Sequence, residues 1–244
     1  MEPGDAETIE RATVASVAPD EVHELGGFLI AINDGVLGRA CSSGPLSLDL
    51  APDPATLDAI DDLYRSRGYD PVYRIPDVPQ MAPMQAALAA RGFAPDTATL
   101  VKVGPVAGMR ALPGEPASLA DQPDDAWTAV FMGDGFDPAE GASRIRNLSR
   151  SPGAVFASVR DGGQAHAVGA GGFGHGRLSI HGMRTSPARR GEGLAGRVLA
   201  ALAAEASARG LSRAFLQVME DNDPARSLYR RAGFVKAWRY HYWR

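Results

Sequence analysis

Two helices that end on glycine recur at nearly the same interval along this 244-residue chain, and that recurrence constrains the fold more than any other feature. In the first half, one helical stretch stops at Gly68 and another at Gly92-Phe93, each followed by a strand-like run. In the second half the same order ends at Gly210 and at Gly233-Phe234, 142 residues (68 to 210) and 141 residues (92 to 233) further on. Agreement within one residue points to an internal duplication, with a left-handed glycine as the helix stop in each case. The expected division is a first unit over residues 1–104, a linker over 105–115 and a second unit over 116–244. The linker is placed there because Gly104 to Pro116 holds three glycines and three prolines.

Local signals fill in the frame. Residues 1–21 are polar and are expected to be loosely held. Gly27 to Ile32 is strand-like, Asn33-Asp34-Gly35 is a hairpin-turn signal, and Val36 to Ser43 is expected to return beside it. Asp53 to Arg67 and Met84 to Arg91 read as helices, with Val72 to Ile75 and Thr97 to Val103 as strands. Further on, Trp127 to Met132 and Ala142 to Leu148 are helical. A hairpin of Val155 to Arg160 and Ala165 to Phe173 follows, then a strand over Arg177 to Met183 and an Ala-rich helix over Leu194 to Arg209. Ser212 to Met219, Pro224 to Ala232 and Phe234 to Trp243 close the chain as strand, helix and strand. The fold class is α/β in the broad sense, with mixed sheets flanked by helices.

Between the strand that ends near Met183 and the helix that opens at Leu194 lies Arg184-Thr-Ser-Pro-Ala-Arg-Arg-Gly-Glu-Gly193. Free N–H groups at a helix start, glycines that admit a ligand closely and adjacent arginines make an anion site, with a diphosphate as the natural guest. The helix dipole supplies only about 0.3–1 kcal/mol per charge, so directed N–H bonds and guanidinium groups carry most of the binding. Gly191-x-Gly193-x-x-Gly196 also spells the dinucleotide fingerprint, which keeps a nicotinamide-dependent oxidoreductase open. That fingerprint wants its first glycine directly after the strand, whereas Thr185 to Arg190 intervenes here.

Two stretches together resemble the GNAT N-acetyltransferase superfamily. Arg190-Gly191-Glu192-Gly193-Leu194-Ala195 is similar to the acetyl-CoA-binding pattern Q/R-x-x-G-x-G/A, and Asn222-x-x-Ala225-x-x-Leu228-Tyr229-x-x-x-Gly233-Phe234 to the second signature of that superfamily. The resemblance covers residues 116–244, and the first half looks like a degenerate copy. It implies two GNAT-like domains, each a mostly antiparallel sheet flanked by helices, with only the second catalytic. It also implies acetyl-CoA as co-substrate, with direct attack of a primary amine of a small molecule or peptide on the thioester. The residues it assigns to the coenzyme are Met183, Arg184 and Thr185 on the strand, Arg189 to Ala195 in the turn, and Asn222 and Tyr229 beyond. Tyr229 takes the place of the acid that protonates the leaving thiolate. A base is expected on the strand before the turn, where alternation groups Ser179, His181 and Met183 on one face. That makes His181 the titrating candidate, with Glu220 second. A non-catalytic acyl-CoA-binding protein is a third reading.

The remaining features exclude more than they suggest. A net charge of −4 and a pI near 5.7 argue against nucleic acid. No apolar run reaches the about 20 residues a membrane span needs, and the acidic N-terminus is unlike a signal peptide, so a cytoplasmic protein is expected. The single Cys41 excludes an internal disulfide, and the five histidines never fall at metal-ligand spacing. Gly169-Ala-Gly-Gly-Phe-Gly174 imitates a kinase glycine loop, but the next lysine is Lys236. The acceptor amine and the oligomeric state, monomer or homodimer, are not legible in the sequence.

Overall fold

A computed structural model describes residues 5–34, 38–133 and 137–244. The first half runs α1 (Asp5–Val17), β1 (Glu21–Leu25), β2 (Phe28–Ile32), β3 (Ser42–Pro45), α2 (Pro54–Ser66), β4 (Tyr73–Pro76), α3 (Ala82–Ala90) and β5 (Pro95–Pro105). The second continues with α4 (Val106–Arg110), β6 (Ser118–Ala120), α5 (Asp125–Phe131), α6 (Pro138–Arg150), β7 (Val155–Asp161) and β8 (Gln164–Gly174). It ends with β9 (Arg177–Thr185), α7 (Leu194–Ala208), β10 (Arg213–Met219), α8 (Asp223–Arg231) and β11 (Val235–Trp243). Helix starts follow the capping signals: the Asp53, Asp124, Asp137 and Asn222 side chains each accept from the backbone N–H three residues on. The helix stops at Gly68, Gly92, Gly210 and Gly233 all have φ between 76° and 92°, the left-handed region that suits glycine.

The eleven strands of the described residues join one sheet in the order β1-β2-β3-β4-β11-β5-β10-β9-β8-β7-β6. Only β3/β4 and β9/β10 are parallel; the other neighbours are antiparallel. At the centre each half lends its last strand to the other, for β11 lies between β4 and β5, and β5 between β11 and β10. Thr99 faces Tyr240, and those two residues are themselves 141 apart. Ala98 faces His241 and Leu100 faces Arg239, as a local two-fold axis through the 99–240 pair demands. The glycine interval and the strand exchange thus express the same symmetry.

Three features differ from expectation. The N-terminal stretch is a buried helix: Ile9, Ala12 and Val17 enter the core, while Thr13 and Ser16 bond to Gln217 at 2.8 Å and Ser179 at 2.6 Å on strands of the second half. Its buried face carries hydroxyls matched to polar partners more than two hundred residues away in one case, so no amphipathic pattern marks it. The stretch expected as a linker forms α4, whose Val106 and Met109 are buried against α7. The short β1 and β6 add edge strands that the pattern did not reveal. The expected turn at residue 35 and the return from residue 36 fall partly outside the described residues, and β3 begins at Ser42.

Helices α4, α7 and α8 cover one face of the second-half sheet, over Leu178, Ile180, Ala214 and Leu216. On the other face lie α1, α5 and α6, with Trp127, Phe131 and Phe156 stacked in a second cluster. No described helix is long and apolar enough to cross a membrane. Between α1 and β4, Glu10 and Arg74 form an ion pair with both side chains buried. Removing one partner of such a pair strands the other charge, at about 3–5 kcal/mol. Glu10→Gln is therefore expected to lower the unfolding free energy by about 3 kcal/mol in urea. A double replacement with Arg74→Met should recover much of that loss, and an unchanged midpoint in Glu10→Gln would show that α1 is not held there.

Candidate functional site

The site begins with a fault in the sheet. Strands β9 and β10 pair only at Leu178–Ala214, Ser179–Phe215 and Ile180–Leu216, although β9 runs on to Thr185 and β10 to Met219. Beyond Ile180 they diverge, and the edge of β9 that faces β10 has no ladder partner there. The cause is visible on the other side of β9. Between the Val168–Arg184 and Ala170–His181 pairs, two steps on β8 match three on β9, a bulge centred on Gly182 at φ 60°. A Cβ there would lie 3.0 Å from the Phe131 ring, so both the conformation and the packing call for glycine.

The bulge corrects the expected alternation. Ser179 and His181 share the face of α1 and α5, but Met183 is switched to the opposite face, where it packs with Val198 of α7 over Gly169. Arg184 in turn points back, donating to the carbonyls of Phe131 and Gly133 at 2.8 Å each. Its guanidinium is thus engaged by the end of α5. Thr185 is half-buried at the end of the strand, lining a groove with Ala126, Val130 and Arg190.

After β9, Ser186 N–H donates to the His166 carbonyl, and Pro187–Arg189 forms a single 3-10 turn. Gly191 (φ 84°) and Gly193 (φ 78°) then fold the chain into α7. The N–H groups of Gly191, Glu192, Gly193, Leu194 and Ala195 make no hydrogen bond among the described residues, and the first three residues are exposed. No side chain caps this helix, unlike α2, α5, α6 and α8. Open, convergent amides of this kind are what a diphosphate needs. Of the two arginines, Arg189 is held by Glu192 through both carboxylate oxygens at 2.9 Å, which cancels its charge locally. Arg190 is exposed and makes no ion pair among the described residues.

Helix α8 brings Tyr229 to the α7 side of the opening. Its ring is buried, 6.0 Å from that of Phe234, and burial pushes its hydroxyl pKa up to about 12. The hydroxyl has no hydrogen-bond partner among the described residues. Asn222 caps α8, its Oδ1 accepting from Ala225 N–H at 3.2 Å, which leaves the amide N–H₂ at an exposed position. Glu220 is ion-paired with Arg239 at 3.1 Å, and its carbonyl accepts from Arg226. Its carboxylate is therefore engaged, which weakens its case as a base.

His181 stands across the sheet from Tyr229. It is 9% exposed, and its Nε2 is buried without a partner. Burial, reinforced by the nearby Arg39 charge, pushes its pKa down to about 3, so the imidazole is neutral at pH 7. Arg39, contributed by the first half, is a residue the sequence reading did not find; no motif surrounds it. Among the described residues no cluster of ligating side chains fits a metal ion.

A mostly antiparallel sheet that splays at one parallel pair is not a doubly wound dinucleotide fold. A family model described as "Probable histone acetyltransferase Rv0428c C-terminal" matches residues 4–243. The chain belongs to that family. Among solved structures, this acetyltransferase is similar to a GCN5-related N-acetyltransferase from Kribbella flavida, with a TM-score of 0.73 at 17% identity over 98% of this chain and 95% of that one. It is also similar to a tandem GNAT protein from the clavulanic acid biosynthesis pathway, with a TM-score of 0.63 at 17% identity over 98% and 94%. A functionally unknown conserved protein from Staphylococcus epidermidis gives a TM-score of 0.69 at 10% identity over 93% and 94%. No curated protein matches the chain. The solved structures share the GNAT architecture, and the family is one described as an acetyltransferase.

The neutral, buried His181 has a measurable signature. The unfolded chain binds its proton near pH 6.5, while the folded acetyltransferase does not until about pH 3, so this residue's contribution to stability falls as the pH drops through that window. Between pH 7 and pH 4.5 the wild-type urea midpoint should fall further than that of His181→Gln. Equal shifts would mean that the imidazole is not buried as a neutral base.

Proposed function

We propose that this chain transfers an acetyl group from acetyl-CoA to a primary amine by direct attack, in its second half. The observation that carries the reading is the conjunction of five open amides at Gly191–Ala195 with the divergence of β9 and β10 beside them. The amides suit the diphosphate, the free edge of β9 suits the amide groups of the pantetheine arm, and the Asn222 N–H₂ faces the same arm. Acetyl-CoA supplies an activated thioester.

Residues on both sides of the sheet fit the proton movements. As the amine nitrogen bonds to the acetyl carbon, the carbon–sulfur bond breaks and the thiolate departs. Tyr229, still protonated at neutral pH, donates its phenolic proton to that sulfur and regains one from water. His181 Nε2 accepts a hydrogen bond from the incoming amine, whose proton passes on to water. No protein nucleophile is required. Cys41 belongs to the first half, and burial raises its thiol pKa. We assign no coenzyme to the first half, residues 1–104. There the positions 141 residues before Asn222 and Tyr229 are Met81 and Leu88, both fully buried in an apolar cluster. On the other face of β4, Arg74 is paired with Glu10 of α1 and bonds to Ser42 of β3.

Calorimetry with acetyl-CoA and with NADH, followed by thiol release over a set of amines, tests the reading. Acetyl-CoA alone should bind, and binding without thiol release for any amine would make the chain a non-catalytic acyl-CoA-binding protein. Tyr229→Phe should lower kcat about 100-fold while acetyl-CoA affinity holds, and full turnover in this variant would remove the acid role. Gly193→Val forces a branched side chain into φ 78° at the open amides, at about 1–3 kcal/mol. Its affinity for acetyl-CoA should fall about tenfold or more.

A further inference from the structure

On the α1 side of the sheet two buried polar atoms, His181 Nε2 and Arg39 Nε, have no partner among the described residues, beside a chain of paired groups. Tyr240 Oη donates to Gln217 Oε1 at 2.8 Å, Gln217 Nε2 to Thr13 Oγ1 at 2.8 Å, and Ser16 and Ser179 share a hydrogen bond. Tyr242 Oη lies 3.4 Å from Tyr240 Oη. By contrast, His181 Nε2 and Arg39 Nε are buried with no partner, and Arg39 forms no ion pair among the described residues. The turn that carries Arg39 packs on the Tyr242 ring, and the Arg39 charge opposes protonation of His181 and favours ionisation of Tyr242.

The turn that carries Arg39 is fixed. Ser42 Oγ donates to the Gly38 carbonyl, and Arg74 Nε donates to Ser42 Oγ at 2.8 Å. A Cβ on Gly38 would fall 2.8 Å from the Tyr242 ring, so the turn is pressed against β11. Arg39 is half-buried with its Nε enclosed and without an acceptor, and an unsatisfied buried donor is costly, as is an unsatisfied imidazole nitrogen. A planar anion answers the first, since a carboxylate matches the guanidinium fork. An N–H donor answers the second.

We propose that the amine acceptor is a small molecule that carries a carboxylate, held by Arg39 of the first half while its amino group faces His181. This rests on the acetyl-transfer reading, and it assigns the first half a direct part in choosing the substrate. The word histone in the family description points instead to a lysine side chain of a protein, which the test below separates.

The test is calorimetry on the full chain with N-acetyl amino acids, the products of such a reaction, against their methyl amides, which lack the charge. The acids should bind about tenfold or more tightly than the amides. Arg39→Gln should erase that preference and Arg39→Lys restore part of it, with thermal midpoint and acetyl-CoA affinity retained. Acids and amides bound equally, neither bound, or a preference that survives Arg39→Gln would overturn the proposal. So would acetylation of a histone peptide or a polyamine at a rate Arg39→Gln does not change, and that result would leave acetyl transfer standing. Failure of the wild type to bind acetyl-CoA would instead remove the acetyl-transfer reading, while the acid–amide comparison would still report on Arg39.

Discussion

The exchange of β5 and β11 is the interaction on which the rest of the molecule depends. Each of these strands is hydrogen-bonded along its length to the other and to one strand of the opposite half. Pulling the halves apart would break three ladders, β4/β11, β11/β5 and β5/β10, and expose their backbone donors and acceptors. The exchange also sets distances. It brings the Arg39 turn against Tyr242 and lets α1 reach across to Ser179 and Gln217. Residues far apart in sequence thereby frame the opening between β9 and β10.

That opening is made by backbone geometry more than by charge. One extra residue at Gly182 turns β9 away from β10, and two left-handed glycines aim five amides at the same region. Of the nearby side chains, Glu192 pairs with Arg189 and the Phe131 and Gly133 carbonyls hold Arg184 away from the turn, which leaves Arg190 as the exposed cation beside the amides. An anion bound there is recognised by direction, through N–H groups whose orientation the helix fixes. This accords with an acidic chain that has no large basic surface for non-specific anions.

How much of this the sequence revealed depended on the range of the interactions involved. Caps, glycine stops and apolar periodicity are local, and they located α2, α6, α7 and α8 and the strands between them. The turn at Gly191–Gly193 and the positions of Asn222 and Tyr229 were legible for the same reason. The face of Met183 was not, because alternation assumes an unbroken pleat and the bulge is set by the close approach of Phe131 to Gly182. Helix α1 was hidden because its buried face is rich in Thr and Ser, whose partners lie on distant strands. Arg39 had no local signal at all, since its significance arises only where the fold leaves it without a counter-ion.

The two halves differ in how they fill the places that the 141-residue interval relates. On either side of the gap in the sheet stand the Tyr229 hydroxyl, whose ionised form burial disfavours, and the His181 imidazole, whose Nε2 is buried without a partner. At the related place in the first half, Leu88 and Met81 pack against Ile75 and Trp243, and the Glu10–Arg74 pair satisfies the polar groups that remain. An interior filled by apolar side chains stabilises the fold but leaves a ligand little room to bind. The first half thus supplies the rigidity that lets the second keep polar groups buried and unmatched, the condition under which small changes in a ligand alter binding strongly.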